Sequence, residues 1–122
     1  MKKIEVGSFA PKPLVQIREK VGTTFEGTLL ALPRVIKLPR GNSNVYEFSI
    51  SGGTAKTVLK DSTGKYNEVD VTEGDIVNLF GSTILDRKLA QVQIGTKVEI
   101  IYNGVAEKSG AHIFIVNKLI GD

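Results

Sequence analysis

Val71–Val105, VTEGDIVNLFGSTILDRKLAQVQIGTKVEIIYNGV, decides how this chain is read. Ile76–Phe80 is apolar apart from Asn78 and bounded by glycines at 74 and 81, as a well-covered central strand would be. Ser82–Val92 then places Ile84, Leu85, Leu89 and Val92 at helical spacing, with Asp86, Arg87, Lys88 and Gln91 outward. Ser82 or Thr83 is the expected cap, with Asp86 in the first turns. After Gly95, Val98, Ile100 and Tyr102 alternate with Lys97 and Glu99, the period of a half-buried strand. The order is strand, short helix, strand.

Working outward, the rest of the chain reads as β. Thr24–Leu32 alternates cleanly, and Gly27 in its middle predicts a bulge or sharp bend. Val45–Ser51 sets Tyr46, Phe48 and Ile50 on one face against Glu47 and Ser49. Thr54–Lys60 is a weaker strand, hairpinned through Asp61–Gly64 to the alternating Val69 and Val71. Asn103-Gly104 predicts a turn, Ala106–Gly110 a polar loop, and His112–Leu119 a last strand. Leu14–Glu19 favours a short strand over a helical turn, and residues 1–13 read as an extended N-terminal arm. Five main strands, one short hairpin and one helix follow. A helix seated between the third and fourth strands of an all-β chain is the order of a five-stranded Greek-key barrel of the OB type, occupying residues 14–122. A β-sandwich is the alternative, but it needs more strands and no helix.

At 122 residues the chain suits one domain, and 41% hydrophobic with 24% charged residues is ordinary for a soluble globular fold. Cysteine is absent, which removes disulfides, thiolate metal sites and thiol nucleophiles and fits a reducing cytoplasm. The N-terminus has no apolar h-region, and no apolar run approaches the roughly 18 residues of a membrane span. His112 is the only histidine, and no HExxH, Walker or GxGxxG pattern occurs. These absences point away from an enzyme, a metal site or a small-molecule cofactor.

The net charge is +3, a mild bias whose distribution says more than its total. Pro33–Asn44, PRVIKLPRGNSN, reads as a loop of 12 residues without a single acid, bearing Arg34, Lys37 and Arg40 among Val35, Ile36 and Leu38. In the OB plan the loop joining the first two strands grips nucleic acid, and cations there neutralise phosphates and release counterions. A solvated loop kept soluble by its charges is the plainer reading. Lys56, Lys60 and Lys65, with Tyr66 at the hairpin tip, form a second basic set, diluted by Asp61, Glu68, Asp70 and Glu73. Aromatics beside cations are what single-strand binders use for stacking. Tyr46 either stacks on bases or, like most aromatic–aliphatic stripes, packs in the core. Lys108 flanks the final loop, the other gripping loop of the OB plan.

FEGTLLAL, VYEF, GDIVNLFGSTILDRKL, IGTKVEIIYNGV and the closing HIFIV together resemble small phage-encoded OB-fold proteins that bind single-stranded DNA. The resemblance covers about Val15 to Lys118. It implies non-catalytic, largely sequence-independent binding of single-stranded DNA in phage or prophage replication or recombination, inside the bacterial host. Arg34, Lys37, Arg40, Lys56, Lys60, Lys65 and Lys108 would then meet phosphates, and Tyr66 and Tyr46 would stack on bases. The chain departs from the bacterial type in having no tryptophan and in ending directly after its last strand, without an acidic tail. From a different class, a virion or assembly β-barrel would dock protein through Val35, Ile36 and Leu38, as would a regulator of a host protein. Ile101 and Ile113, off the core side, are the expected contacts of a homo-oligomer.

Overall fold

The computed structural model describes residues 12–39, 41–60 and 63–120. The described residues are mostly β-sheet with one short helix. Its strands are β1 (Leu14–Gln16), β2 (Thr24–Leu29), β3 (Arg34–Leu38), β4 (Gly41–Gly53), β5 (Lys56–Lys60), β6 (Tyr66–Val69), β7 (Ile76–Phe80), β8 (Lys97–Val105) and β9 (His112–Lys118). The helix α1 (Thr83–Leu89) lies between β7 and β8.

The expectation of a five-stranded closed barrel is corrected. Nine strands form one open sheet in the order β6-β5-β1-β7-β4-β2-β8-β9, with β3 added on β4. The reason is β1. It lies parallel to β7 through Leu14 and Asn78, and antiparallel to β5 through Leu14–Gln16 against Lys56–Val58. Both edges of β7 are thereby filled, by β1 and β4, so no edge remains for β9 to close upon. The gap is spanned by a side chain. Arg18 Nη2 donates to the Gly81 carbonyl at 2.9 Å and to the Phe80 carbonyl at 3.3 Å. Its guanidinium also lies 5.8 Å from the centre of the Phe114 ring on β9, within cation–π range.

The core follows the period-2 pattern. Phe25 and Leu29 of β2, Phe48 and Ile50 of β4, Val77 and Leu79 of β7, and Val98 and Ile100 of β8 all face inward and are buried. Phe25 meets Phe48 edge-on at 5.3 Å, a favoured aromatic geometry. Leu85 and Leu89 seat α1 on this core. The bend expected at Gly27 is a register shift between Glu26 and Gly27 in the β2–β4 ladder.

Three local expectations change. The expected loop gives way to strands, because β3 (Arg34–Leu38) pairs with the first five residues of β4 from Arg34↔Val45 to Leu38↔Gly41, making a two-stranded arm. Asn103-Gly104 makes no turn, since β8 runs on to Val105 through an irregularity after Tyr102. The helix stops at Leu89, and Ser82 does not cap it with its side chain; the Ser82 Oγ is buried without a partner. Residues 1–11 of the expected arm lie outside the described residues. Lys12 bonds the Glu47 carboxylate, and the Pro13 carbonyl accepts from Asn78 N–H at 2.9 Å. Among the described residues no helix is long and apolar enough to cross a membrane.

Candidate nucleic-acid interface

Strand pairing fixes which side chains share a surface, because directly opposed residues point to the same face. Tyr46, Phe48 and Ile50 point into the core, so Glu47 and Ser49 point out; Val45 shares their side of the strand but is itself buried, at 4% exposed. Arg34 opposes Val45, and Val45 opposes Phe80. Leu14 stands against Asn78, so two residues further along both strands Gln16 comes abreast of Phe80; Gln16 in turn opposes Lys56. One row therefore crosses five strands on the outer face, in the order Arg34, Val45, Phe80, Gln16, Lys56. At about 4.8 Å per strand its ends lie roughly 19 Å apart.

The row carries an exposed cation at each end, a partly buried aromatic in the middle beside the buried Val45, and no acid. Arg34 and Lys56 are exposed. The neighbouring row, Glu47, Asn78, Leu14, Val58, Glu68, holds two carboxylates. Glu47 is occupied by Lys12. Glu68 stands 3.7 Å from Lys56, with both side chains well over half exposed. Such a pair is worth little against solvent and releases Lys56 easily. Beside Phe80, a shallow cavity of about 190 Å³ is lined by Gln16, Arg18, Leu79 and the exposed carboxylate of Glu19 among others.

The remaining expected site residues are distributed differently. Lys37 is three residues from Arg34 on β3, so it points to the opposite face of the arm with Val35; the two do not form a one-sided cradle. Arg40 lies outside the described residues. Lys60 opposes Tyr66 at the far end of β5 from Lys56, and Lys65 precedes Tyr66 there. Lys65 and Tyr66 are exposed. Lys108 is exposed in the turn after β8, whose later half pairs with the start of β2, whereas the arm leaves from the end of β2.

Tyr46 is a correction: it is 3% exposed, and its hydroxyl donates to Asp86 Oδ1 at 2.7 Å. Burial, reinforced by this carboxylate, pushes the phenol well above its ordinary pKa. The packing is close. A Cβ on Gly81 would stand 2.0 Å from Asp86 Oδ1 and 3.0 Å from Tyr46 Cε2. No base can stack on this ring.

No family model matches this chain, and no curated protein or solved structure is significantly similar to it.

Sequence reasoning missed three side chains. Phe80 reads as core because Ile76–Phe80 is apolar on both faces; only its pairing with Val45 places it outward. Arg18 follows the alternating β1 segment as an ordinary outward charge, with no local signal that it bridges the open seam. Its burial lowers its pKa, while Tyr102 and Asp86 oppose that shift. Lys12 reads as part of a mobile tail, yet it neutralises the one carboxylate beside Phe80 on β4.

Proposed function

We propose that this protein is a non-catalytic binder of single-stranded DNA with little sequence preference, built on an OB-like strand order. The observation that carries the reading is the Arg34–Val45–Phe80–Gln16–Lys56 row. A strand laid across it meets a cation at both ends and an aromatic face between them. Phosphate neutralisation supplies the affinity, and stacking on an aromatic tolerates any base. Lys37, on the reverse of the arm, extends positive charge to a strand that curls around it. The arm contributes no acid from residue 33 to 44. The replication or recombination setting implied by the resemblance belongs to the same proposal.

The test is fluorescence anisotropy with labelled oligo-dT across a salt series. The wild type binds at low salt with a steep salt dependence. Arg34→Glu with Lys56→Glu removes two contacts, so the slope of log K against log salt falls by about 1.4, at roughly 0.7 per phosphate on a single strand. Phe80→Ala weakens binding without altering the slope. Absence of low-salt binding by the wild type, or an unchanged slope in the double variant, overturns the reading.

A protein-docking role has its own support, since Leu32, Val35 and Leu38 are 75%, 64% and 42% exposed around the arm. Under that reading Val35→Ser with Leu38→Ser abolishes partner capture and leaves oligo-dT binding as it was. Under the first, those changes matter little.

A further inference from the structure

We infer that the free edge of β9 is a strand-addition site for an extended acidic peptide, seated in the groove between β9 and α1. Among the described residues β9 is a terminal strand of the sheet, paired only with β8. The Leu119 N–H donates to the Lys97 carbonyl at 2.8 Å, and β8 pairs with β9 in continuous register from Val98↔Lys118 to Tyr102↔Phe114. In an antiparallel ladder backbone groups alternate between the partner strand and the opposite side. Residues 115, 117 and 119 therefore address β8, while Phe114, Val116 and Lys118 present theirs to the free edge.

The upper part of that edge is already closed. Lys88 Nζ donates to the Phe114 carbonyl, and Arg18 covers the Phe114 ring. Below it, the backbone of Val116 and Lys118 opens onto a groove of about 340 Å³ lined by Lys88, Gln91, Val92, Ile115, Val116 and Lys118. Its apolar members Val92 and Val116 pack on the core and form a firm floor. Among the described residues its charged members are two lysines, Lys88 and Lys118. An added strand gains main-chain hydrogen bonds from the edge, and the side chains of alternate residues reach the groove. Val116 and Lys118 share a face, so a peptide residue opposite Val116 is apolar and lies on Val92 and Val116, while the residue two along on the same face is acidic and meets Lys118, with Lys88 on the helix side of the groove.

A second copy of the chain fits poorly. Antiparallel self-pairing centred on Ile115 needs the Phe114 backbone, whose carbonyl Lys88 already occupies, and sets His112 opposite Lys118. A polyanionic nucleic acid satisfies the lysines but not the edge, because it has no regular array of amide donors and carbonyl acceptors. The site is separate from the outer row of Arg34, Phe80 and Lys56, so the inference does not rest on the oligonucleotide reading.

The test is NMR titration and anisotropy with a labelled eight-residue peptide that carries Val and Glu in turn along one face with Thr between them (Val-Thr-Glu-Thr, twice). The expected result is saturable binding that shifts the amides of Val116 and Lys118. The same peptide N-methylated at every second backbone nitrogen no longer binds, because the donors are removed while charge and side chains remain. Lys118→Glu weakens binding about tenfold, the equivalent of 1.4 kcal/mol. Lys88→Glu, read alongside it, tests the helix wall. A peptide that fails to bind, binds equally well when N-methylated, or shifts amides elsewhere overturns the site. Displacement of the peptide by oligo-dT, or self-association through β9, also overturns it.

Discussion

Removing one oxygen from Tyr46 tests how the helix is tied to the sheet. Tyr46→Phe keeps the buried ring and deletes the donor to Asp86 Oδ1, 2.7 Å away. A hydrogen bond to a charged group contributes about 1.5–3 kcal/mol. Asp86 is only partly buried, so water reaches the carboxylate in the variant, and the lower end, about 1.5 kcal/mol, is expected. With m near 1–3 kcal/mol/M, the urea midpoint falls by roughly 0.5–1.5 M. A double-mutant cycle with Asp86→Ala isolates the pair, and a coupling of about 1 kcal/mol is expected for two groups in direct contact. A coupling within about 0.3 kcal/mol of zero refutes the argument, because the two substitutions would then act independently. An unchanged midpoint in Tyr46→Phe refutes it equally.

Gly81→Ala forces Asp86 off Tyr46 and costs about 1–3 kcal/mol, as overpacking does; in a Tyr46→Phe background the cost is smaller, measurable by the same urea melts. Tyr46 also sets an alkaline limit. Its folded-state pKa is raised by burial and by Asp86, so its contribution is full below the ordinary tyrosine value of about 10 and is lost as pH rises through the higher folded value. As pH rises above about 10, stability should fall more steeply for the wild type than for Tyr46→Phe, and parallel curves refute the assignment. His112, whose Nδ1 lies 2.8 Å from the Tyr102 hydroxyl, has a pKa lowered by burial and then by Arg18. Its contribution is therefore present above the ordinary histidine value and lost as pH falls through the lower folded one. An NMR titration should find its midpoint below that of free imidazole, and Arg18→Leu should move it up.

The inward stripes were legible because burial imposes strict alternation, as at Tyr46, Phe48 and Ile50, and the helix was legible from Leu85 and Leu89. The arm was not. Pro33, Pro39, Gly41 and three polar residues carry loop composition, and their strand geometry comes from pairing across the hairpin rather than from propensity. The insertion of β1 was equally hidden, since three residues with one core valine cannot announce which edge they will fill. That single docking changes a closed barrel into an open sheet. The site reading suffered in the same way. A spacing of three between Arg34 and Lys37 suggests one side of a loop, but on a strand it divides them between two faces. Phe80 acquired its outward role only through Val45.

The sheet's wiring bears on synthesis. β2 lies between β4 and β8, and 67 residues separate the end of β2 from the start of β8. At about 5–20 residues per second, a ribosome needs roughly 3–13 s to supply them. Throughout that interval one flank of β2 stands naked in the nascent chain, and a chaperone or a neighbouring nascent chain can reach it first. Slower elongation between Leu30 and Thr96 lengthens that exposure and should lower the yield of folded chain.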